Sequence, residues 1–202
     1  MKLFQYTLEN RAELILKSYK NIISKHDKVL DVGCGNGVIS KIVSNKFGCK
    51  ITGTDIIDYR KTEIKFKKMK GNGKLPFKKN SFDTVIFNDM LHHTSRRQQG
   101  IFLKEALRVG KKVLIFELKP TLYAKFTDWL ANKSHNWSMP TPMTQRTMEE
   151  WEFMFQENKI HFLSIEIKRS FPEKPFSISY ENLAELLYYP ITNYFFLLTR
   201  TK

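Results

Sequence analysis

The chain has 202 residues, of which 42% are hydrophobic and 27% are charged, and this composition excludes a disordered chain. Its formal net charge is +14. A solvated lysine-rich surface accounts for this charge by itself, and acidic partners are favoured only if other features agree. Two cysteines are too few for a disulfide framework or a structural zinc site, and no apolar stretch approaches the roughly 20 residues of a membrane span.

The beginning of the chain contains acidic residues and lacks the apolar core of a signal peptide. Together with the few cysteines, this predicts a cytoplasmic protein in a reducing compartment. The net charge leaves nucleic acid and an anionic membrane surface open as partners, alongside a small acidic molecule. Neither repeats nor a low-complexity linker interrupt the chain, so we expect a single domain over residues 1–202.

Helical and strand patterns alternate along the first 120 residues. This alternation predicts an α/β fold with a parallel sheet covered by helices on both faces. Ligands of such sheets bind where the strands end, near the reversal of strand order. The predicted helices are 8–24, 38–46, 57–63 and 96–109, and the predicted strands are 28–32, 50–55, 64–69, 83–88 and 112–117.

The remaining residues have a different character. Residues 120–137 contain a helix, and the Thr147-x-x-Glu150 spacing is a capping box that predicts a second helix to residue 158. Residues 160–170 and 191–201 alternate as strands, and the apolar YFFLLT segment within the latter predicts a buried strand. A hairpin-like pair of these strands would close the sheet with an antiparallel C-terminal strand.

The stretch DVGCGNG, residues 31–37, places three glycines between a predicted strand and a predicted helix. A strand, a glycine turn and a helix make a nucleotide-type site, because glycine lets a ligand approach the main chain and permits positive φ. The dinucleotide spacing G-x-G-x-x-G fits poorly, since Val38 stands at its last position. The spacing G-x-G-x-G fits fully.

Residues 29–37, VLDVGCGNG, resemble the first motif of class I S-adenosylmethionine-dependent methyltransferases, of the methyltransferase type 11 kind. The resemblance continues in order through GTDI at 53–56, residues 71–94 and residues 105–117, and it covers about residues 25–120. It implies a Rossmann-like doubly wound sheet of seven strands, mostly parallel, with an antiparallel C-terminal strand. The implied organisation is an N-terminal cap helix (1–25), a cofactor-binding core (26–118), a substrate lid or insert (119–150) and a C-terminal helix with strands (151–202).

The resemblance implies S-adenosylmethionine as cofactor, with no metal expected. Asp31 is expected to contact the ammonium group of the cofactor, and backbone N–H groups of residues 35–37 are expected to bind its carboxylate. Asp55 is expected to accept hydrogen bonds from both ribose hydroxyls, and Ile56 to pack on the adenine. Asn72 stands where the family often has an Asp for the adenine amino group, and Gly73 competes with it for that alignment. The predicted cofactor-binding residues are Asp31, Gly33, Cys34, Gly35, Asn36, Gly37, Asp55, Ile56, Asn72, Gly73 and Asn88.

Several of these residues have simpler interpretations. Asp31 is also suited to capping the following turn, Asp55 to an ordinary loop, and Asn72 to forming a turn. A small turn residue is the favoured interpretation of Cys34, rather than a nucleophile. Asn88 ends the fourth predicted strand, near the expected position of the transferred methyl group.

His92 and His93 follow that strand and are the candidate catalytic residues, since a histidine titrating near neutrality can act as general base. The alternative is that the pair only packs or hydrogen-bonds beneath the site. His135 lies near Trp137 in a segment that could form a lid. Further candidates for lining the pocket are Tyr6, Tyr19 and Trp129.

The resulting hypothesis is methyl transfer to a small-molecule acceptor by direct in-line displacement, in which orientation and exclusion of water supply most of the rate. The fourth strand is followed by NDML rather than the N/D/S-P-P-Y/F/W tetrapeptide of DNA amino methylation, and no Pro-Cys pair is present. RNA and lipid acceptors remain open. So does a non-catalytic cofactor binder or regulatory homologue, which the absent Pro-Gly-Gly turn before the fifth strand slightly favours.

Overall fold

The computed structural model describes residues 2–135, 143–168 and 190–200, and the following statements refer to them. Seven β-strands and five α-helices alternate along these residues, and a 3-10 turn, Leu91–His93, follows the fourth strand. The strands are β1 Lys28–Val32, β2 Lys50–Thr54, β3 Lys65–Phe66, β4 Phe82–Asn88, β5 Gly110–Leu118, β6 His161–Ile167 and β7 Asn193–Thr199. The helices are α1 Lys2–Tyr19, α2 Val38–Phe47, α3 Arg96–Val109, α4 Leu122–His135 and α5 Met148–Glu157.

The strands form one sheet in the order β3-β2-β1-β4-β5-β7-β6. The first five strands pair in parallel, whereas β7 is antiparallel to both β5 and β6. This arrangement confirms the predicted fold class, including the antiparallel C-terminal strand. The strand order reverses between β1 and β4, so the loops after β1, β2, β4 and β5 meet at one edge of the sheet, where ligands of this architecture bind.

Helices cover both faces of the sheet, and each face has its own hydrophobic core. On one face, α1 and α2 bury Ile15, Tyr19 and Val43 against the sheet, and on the other, α3 and α5 bury residues such as Phe102 and Trp151. Successive strand residues point to opposite faces, as pleating requires. The two cores together explain why the strands are almost continuously apolar.

For residues 57–69, the predicted helix was wrong and the predicted strand is shorter than expected. Residues 57–63 form no helix, because Asp58 pairs with Arg60 and the backbone N–H of Lys61 donates to the carbonyl of Asn36 at 2.9 Å instead of to a helical partner. The strand predicted for residues 64–69 is only β3, Lys65–Phe66. Local side-chain hydrogen bonds compete successfully with regular structure in this loop.

The boundaries of other elements shift by a few residues. Helix α1 begins earlier than predicted and ends at Tyr19, shortly before Asn21 adopts a φ of 66° that no helix can continue through. The Thr147–Glu150 capping box is confirmed at the start of α5, and β7 is confirmed as a buried strand. Trp137, the ends of the two predicted C-terminal strands, and the side chains of Tyr6 and His135 lie outside the described part of the chain. Among the described residues, none of the helices is both long and apolar enough to cross a membrane.

Candidate functional site

The glycine loop between β1 and α2 is held in a left-handed conformation. Gly33, Gly35 and Gly37 have φ values of 74°, 53° and 77°, which side chains disfavour. The backbone N–H of Gly33 donates to the carbonyl of Thr54 at 2.8 Å, and that of Gly37 to the carbonyl of Cys34 at 2.9 Å. The first bond ties the loop to the end of β2, and the second closes a turn within the loop.

The three glycines differ in what surrounds them. A Cβ at Gly33 would lie 2.1 Å from Met90 Cγ, and one at Gly37 would lie 2.6 Å from Thr62 Oγ1. A Cβ at Gly35 would meet no heavy atom within 4 Å. Gly33 and Gly37 are therefore required by packing, whereas Gly35 keeps the loop backbone accessible to a ligand.

Asp31 lies at the end of β1, beneath this loop. Its side chain is only 2% exposed and accepts a hydrogen bond from Ser40 Oγ at 2.6 Å. Burial raises the pKa of Asp31 from 3.8 to about 6, although the Ser40 hydrogen bond opposes this rise, and the nearby Asp55 carboxylate adds to it. A buried carboxylate with a raised pKa is stabilised by a neighbouring cation, such as an ammonium group.

Asp55 follows β2 on the other side of the loop. One of its carboxylate oxygens accepts from the backbone N–H of Gly35 at 3.0 Å, and the other from that of Ile56 at 2.7 Å. Burial raises its pKa, while these backbone bonds oppose the rise. Each carboxylate oxygen has a second lone pair, so Asp55 can still accept two hydroxyl donors.

The remaining loop residues support the turn. Cys34 is buried, and burial raises the pKa of its thiol. Its Sγ would lie 2.6 Å from a Cβ added at Gly53, so the thiol packs closely on that glycine. Such a thiol is not activated as a nucleophile. The Asn36 side-chain oxygen accepts from the backbone N–H of Val38 at 3.1 Å, where α2 begins.

The predicted adenine side is formed by two loops. Ile56 is 46% exposed, and its Cγ2 would lie 3.5 Å from a Cβ at Gly71, in the loop that contains Asn72. Asn72 is exposed, and its side-chain oxygen accepts from the backbone N–H of Lys74 at 3.1 Å. Gly73 has a φ of 83° and packs against Ile101 of α3. Asn72 therefore forms a turn here, with its amide nitrogen as the group available for a ligand.

At the end of β4, Asn88 is linked to the N-terminal helix. Its side-chain oxygen accepts from the Tyr19 hydroxyl at 2.6 Å, and its carbonyl accepts from Arg11 at 3.3 Å. Arg11 also pairs with Asp89 at 2.8 Å. Helix α1 is thereby attached to the strand end at which the transferred methyl group is expected.

His92 is the centre of a buried ionic group. Its Nδ1 lies 2.5 Å from Glu117 Oε2, and its Nε2 lies 3.2 Å from Asp128 Oδ2. Burial lowers the pKa of the His92 imidazole, but the two carboxylates outweigh that effect and hold it well above its usual value. Glu117 Oε1 also accepts from the backbone N–H of Leu91 at 2.7 Å. His92 is therefore an imidazolium that attaches the 3-10 turn to β5 and α4.

His93 has the opposite electrostatic character. Its ring centroid is 4.1 Å from that of His92. Burial and the positive charge of His92 lower the pKa of His93 to about 4. His93 is therefore neutral at pH 7 and is the histidine of the pair that can accept a proton.

The ring nitrogens of His92 and His93 and a carboxylate oxygen of Asp128 lie within 4.8 Å of one another. Imidazole and carboxylate groups suit a transition metal. The expectation of a metal-free site remains a prediction.

Four charged residues of the site were missed at the level of sequence: Arg11, Asp89, Glu117 and Asp128. Glu117 carried a usable signal, because it is an acid at the end of an otherwise apolar strand, and acids are almost never fully buried unless paired. Arg11 and Asp128 lie on helices whose sequences resemble ordinary amphipathic segments. Their roles depend on which strand ends the helices approach.

Comparisons with known proteins show similarity to methyltransferases. Residues 30–116 match a family model described as a methyltransferase domain. The matched segment contains most of the ordered motifs, and its description agrees with the family that their resemblance implied.

Two curated relatives are similar to parts of the chain. The sterol 24-C-methyltransferase of Saccharomyces cerevisiae is 27% identical over 114 residues, which is 50% of this chain and 30% of that protein. The phosphoethanolamine N-methyltransferase of Plasmodium falciparum is 26% identical over 137 residues, which is 60% of this chain and 48% of that protein. The chain thus spans less than half the length of either relative.

Solved structures share the fold at low sequence identity. The complex of the Haloferax volcanii Trm112 methyltransferase activator with a putative methyltransferase aligns with a TM-score of 0.67 and 15% identity, covering 99% of this chain and 98% of that one. Phosphoethanolamine N-methyltransferase 2 of Haemonchus contortus, solved with S-adenosylmethionine, aligns with a TM-score of 0.65 and 17% identity, covering 96% of this chain and 53% of that one.

Proposed function

We propose that the protein is an S-adenosylmethionine-dependent methyltransferase that methylates a small-molecule acceptor. The observation that carries the proposal is the pair of acids, Asp31 and Asp55, on the two sides of a glycine loop whose backbone is accessible at Gly35. Phosphate would be repelled by these carboxylates, whereas a ligand with an ammonium group and ribose hydroxyls complements them.

The residues present fit this cofactor. Asp31 has a buried negative charge that a bound ammonium would stabilise, and Asp55 has carboxylate oxygens able to accept from ribose hydroxyls. Ile56 offers an exposed apolar side chain for a base. When bound, S-adenosylmethionine supplies a methyl group already activated on a sulfonium, so the protein has mainly to orient the acceptor and exclude water.

The two histidines contribute unequally in this proposal. His92 is fixed between Glu117 and Asp128 and orients the 3-10 turn at the end of β4. His93 is neutral and accepts a proton where the acceptor must lose one. A pKa of about 4 makes it a weak base at neutral pH, so positioning rather than proton transfer is expected to supply most of the rate.

Three alternatives remain and can be separated experimentally. RNA methylation is favoured by the net charge of +14 and requires binding that weakens steeply with salt. A lipid acceptor is favoured by exposed apolar residues on α4. A non-catalytic cofactor binder or regulatory homologue would bind the cofactor without turnover, and the similar fold solved with an activator is the motive for testing added partners.

The decisive experiment is calorimetric binding of S-adenosylhomocysteine to the wild type, to Asp55→Ala and to Asp58→Ala. Asp58 lies on the same loop but is half-exposed and pairs with Arg60, so its variant is the matched control. We expect Asp55→Ala to weaken binding by about 1–3 kcal/mol through unpaired ribose hydroxyls, and Asp58→Ala to leave it unchanged. Absence of wild-type binding would contradict the proposal, and equal affinities would remove the ribose assignment.

A further inference from the structure

Helix α4 is amphipathic in the reverse of the usual sense. Its inward side presents Ala124, which is 1% exposed, and Asp128, which faces His92. Its outward side presents four large apolar side chains: Leu122 (88% exposed), Phe126 (59%), Trp129 (38%) and Leu130 (52%). A helix that packs on a protein core normally has the opposite arrangement. Its apolar face is therefore directed away from the core.

The four residues form one continuous stripe, which we call the α4 stripe. They recur at spacings of three and four residues, which places them on the same side of a helix. The Phe126 and Trp129 rings are stacked, with centroids 6.3 Å apart. From Leu122 to Leu130 the stripe is about 12 Å long. Contiguous exposed apolar surface of this kind marks an interaction site rather than scattered surface residues.

The charges around the stripe favour an anionic partner. Between Leu122 and Leu130, the helix has one acid and one base. Asp128 is turned inward to His92 and is 13% exposed, whereas Lys125 is exposed. The outward side is therefore apolar and positive, and the whole chain carries 34 Lys and Arg against 20 Asp and Glu. Apolar residues flanked by cations are the composition of helices that lie in the interface of anionic membranes.

The stripe lies at the functional edge of the sheet. Helix α4 follows β5, and its Asp128 contacts the histidine that follows β4. The exposed Ile56 and Ile57 follow β2 at the same edge, three strand spacings or about 14 Å from β5. A flat surface that contacts the α4 stripe is therefore adjacent to the candidate cofactor site.

We infer that the α4 stripe docks the protein on an anionic lipid membrane, with its apolar side chains in the interface and the basic surface above the headgroups. The docking requires only this surface and not methyl transfer. Its consequence for the reaction, which rests on the proposed methyltransferase function, is that a small amphiphile held in the membrane is favoured as acceptor over a water-soluble molecule.

The first test is co-sedimentation with vesicles of phosphatidylcholine alone or with 30% phosphatidylglycerol, in about 0.1 M salt. The double variant Phe126→Ser/Leu130→Ser removes half of the stripe. Phe153→Ser/Leu163→Ser is its matched control, because these residues of α5 and β6 are 63% and 52% exposed. We expect the wild type and the control to bind anionic vesicles and the α4 variant to lose about tenfold or more in partitioning.

The second test uses Trp129 as a local probe in a Trp137→Phe background. The other tryptophan, Trp151, is fully buried. Anionic vesicles should shift the Trp129 emission to shorter wavelength, and brominated lipid should quench it. Neither effect should occur with phosphatidylcholine alone, and about 0.5 M salt should weaken the binding through screening.

Three outcomes would overturn the inference. The first is that the wild type does not bind anionic vesicles, and the second is that both double variants lose vesicle binding equally. The third is a dimer, seen in sedimentation equilibrium, that does not bind vesicles and that dissociates only in the α4 variant. The last would assign the stripe to a second copy of the chain. Calorimetry with S-adenosylhomocysteine on the same preparations separates the two proposals. Vesicle binding without cofactor binding would refute the function and leave the docking intact.

Discussion

The two sides of the candidate site are built differently. On the cofactor side, Asp31, the glycine loop and Asp55 lie within 25 residues of one another and belong to adjacent strands. On the acceptor side, Arg11, His92, Glu117 and Asp128 come from two helices, a turn and a strand far apart in the chain. The first is a local motif, and the second is an assembly that exists only in the fold.

The two sides also differ in electrostatics. On the cofactor side, Asp31 accepts a hydrogen bond from Ser40 and Asp55 accepts from two backbone N–H groups, and burial raises the pKa of both carboxyls. On the acceptor side, the buried His92 lies between two carboxylates and Asp89 pairs with Arg11, although burial still raises the pKa of Asp89 to about 6. The cofactor side therefore retains an electrostatic cost that a bound cation can relieve, whereas the charges of the acceptor side are paired with one another.

The largest expected effect tests whether the acceptor side is structural. Glu117→Gln should lower the free energy of unfolding by about 4 kcal/mol, because it removes one partner of a buried ion pair. Asp128 lies at the partly exposed end of the ionic group around His92. Asp128→Asn should therefore lower the free energy of unfolding by about 1 kcal/mol. Denaturant titration at pH 7 measures both values.

The raised pKa of His92 fixes the pH range of this effect. The stabilisation is fully present below the unfolded pKa of about 6.5 and is lost as pH rises through the raised folded value. The difference in free energy of unfolding between the wild type and Glu117→Gln should therefore persist at pH 6 and become smaller in alkaline solution. Equal deficits for the two variants would mean that Glu117 has no special role.

The next effect compares two glycines of one loop. Gly33→Ala should lose about 3 kcal/mol of stability, from the left-handed backbone and the contact with Met90. Gly35→Ala has the same backbone cost but meets no neighbour, so it should lose about 1 kcal/mol. Calorimetry should nevertheless show that Gly35→Ala, although well folded, binds S-adenosylhomocysteine more weakly. Unchanged affinity would show that the ligand does not approach this backbone.

A smaller effect, opposite in sign, is expected on the cofactor side. Asp31→Asn should raise the free energy of unfolding at pH 7 by about 2 kcal/mol, because a buried charge is removed while an acceptor for Ser40 remains. The folded pKa of about 6 lies above the usual 3.8, so the gain should disappear as pH falls through this window. The same variant should bind the cofactor more weakly.

The control is Asp83→Asn. Lys111 lowers the pKa of Asp83 through a hydrogen bond at 2.7 Å, so this variant should lose a little stability at pH 7 rather than gain it. A gain in both variants would show that the effect at Asp31 reflects net charge and not burial.

The smallest effect concerns His93. Its folded pKa of about 4 is below the unfolded value of about 6.5, so the unfolded state takes up the proton first and the wild type loses stability as pH falls. His93→Gln removes this loss. Its stability relative to the wild type should rise by about 1 kcal/mol between pH 6 and pH 5, as measured by thermal or denaturant unfolding at each pH. The matched substitution is His161→Gln, at the exposed first residue of β6.

Most of the fold could be predicted from the sequence because its signals are local. The apolar runs of β1, β4 and β5 and the capping box of α5 each specify an element within a few residues. Residues 57–63 could not be predicted, since hydrogen bonds from Arg60 and to Asn36 replaced the helix. The chain pattern alone does not contain those partners.

The sequence by itself determined the fold class and the position of Asp31, the glycine loop and Asp55 at one edge of the sheet. A strand, three glycines and two acids at fixed spacing are enough, because adjacent parallel strands bring their ends together whatever surrounds them. Only the tertiary structure decided which histidine is charged, what balances it and which face of α4 is exposed. These depend on burial and on contacts between distant segments, and identical side chains such as His92 and His93 acquire opposite pKa shifts from them.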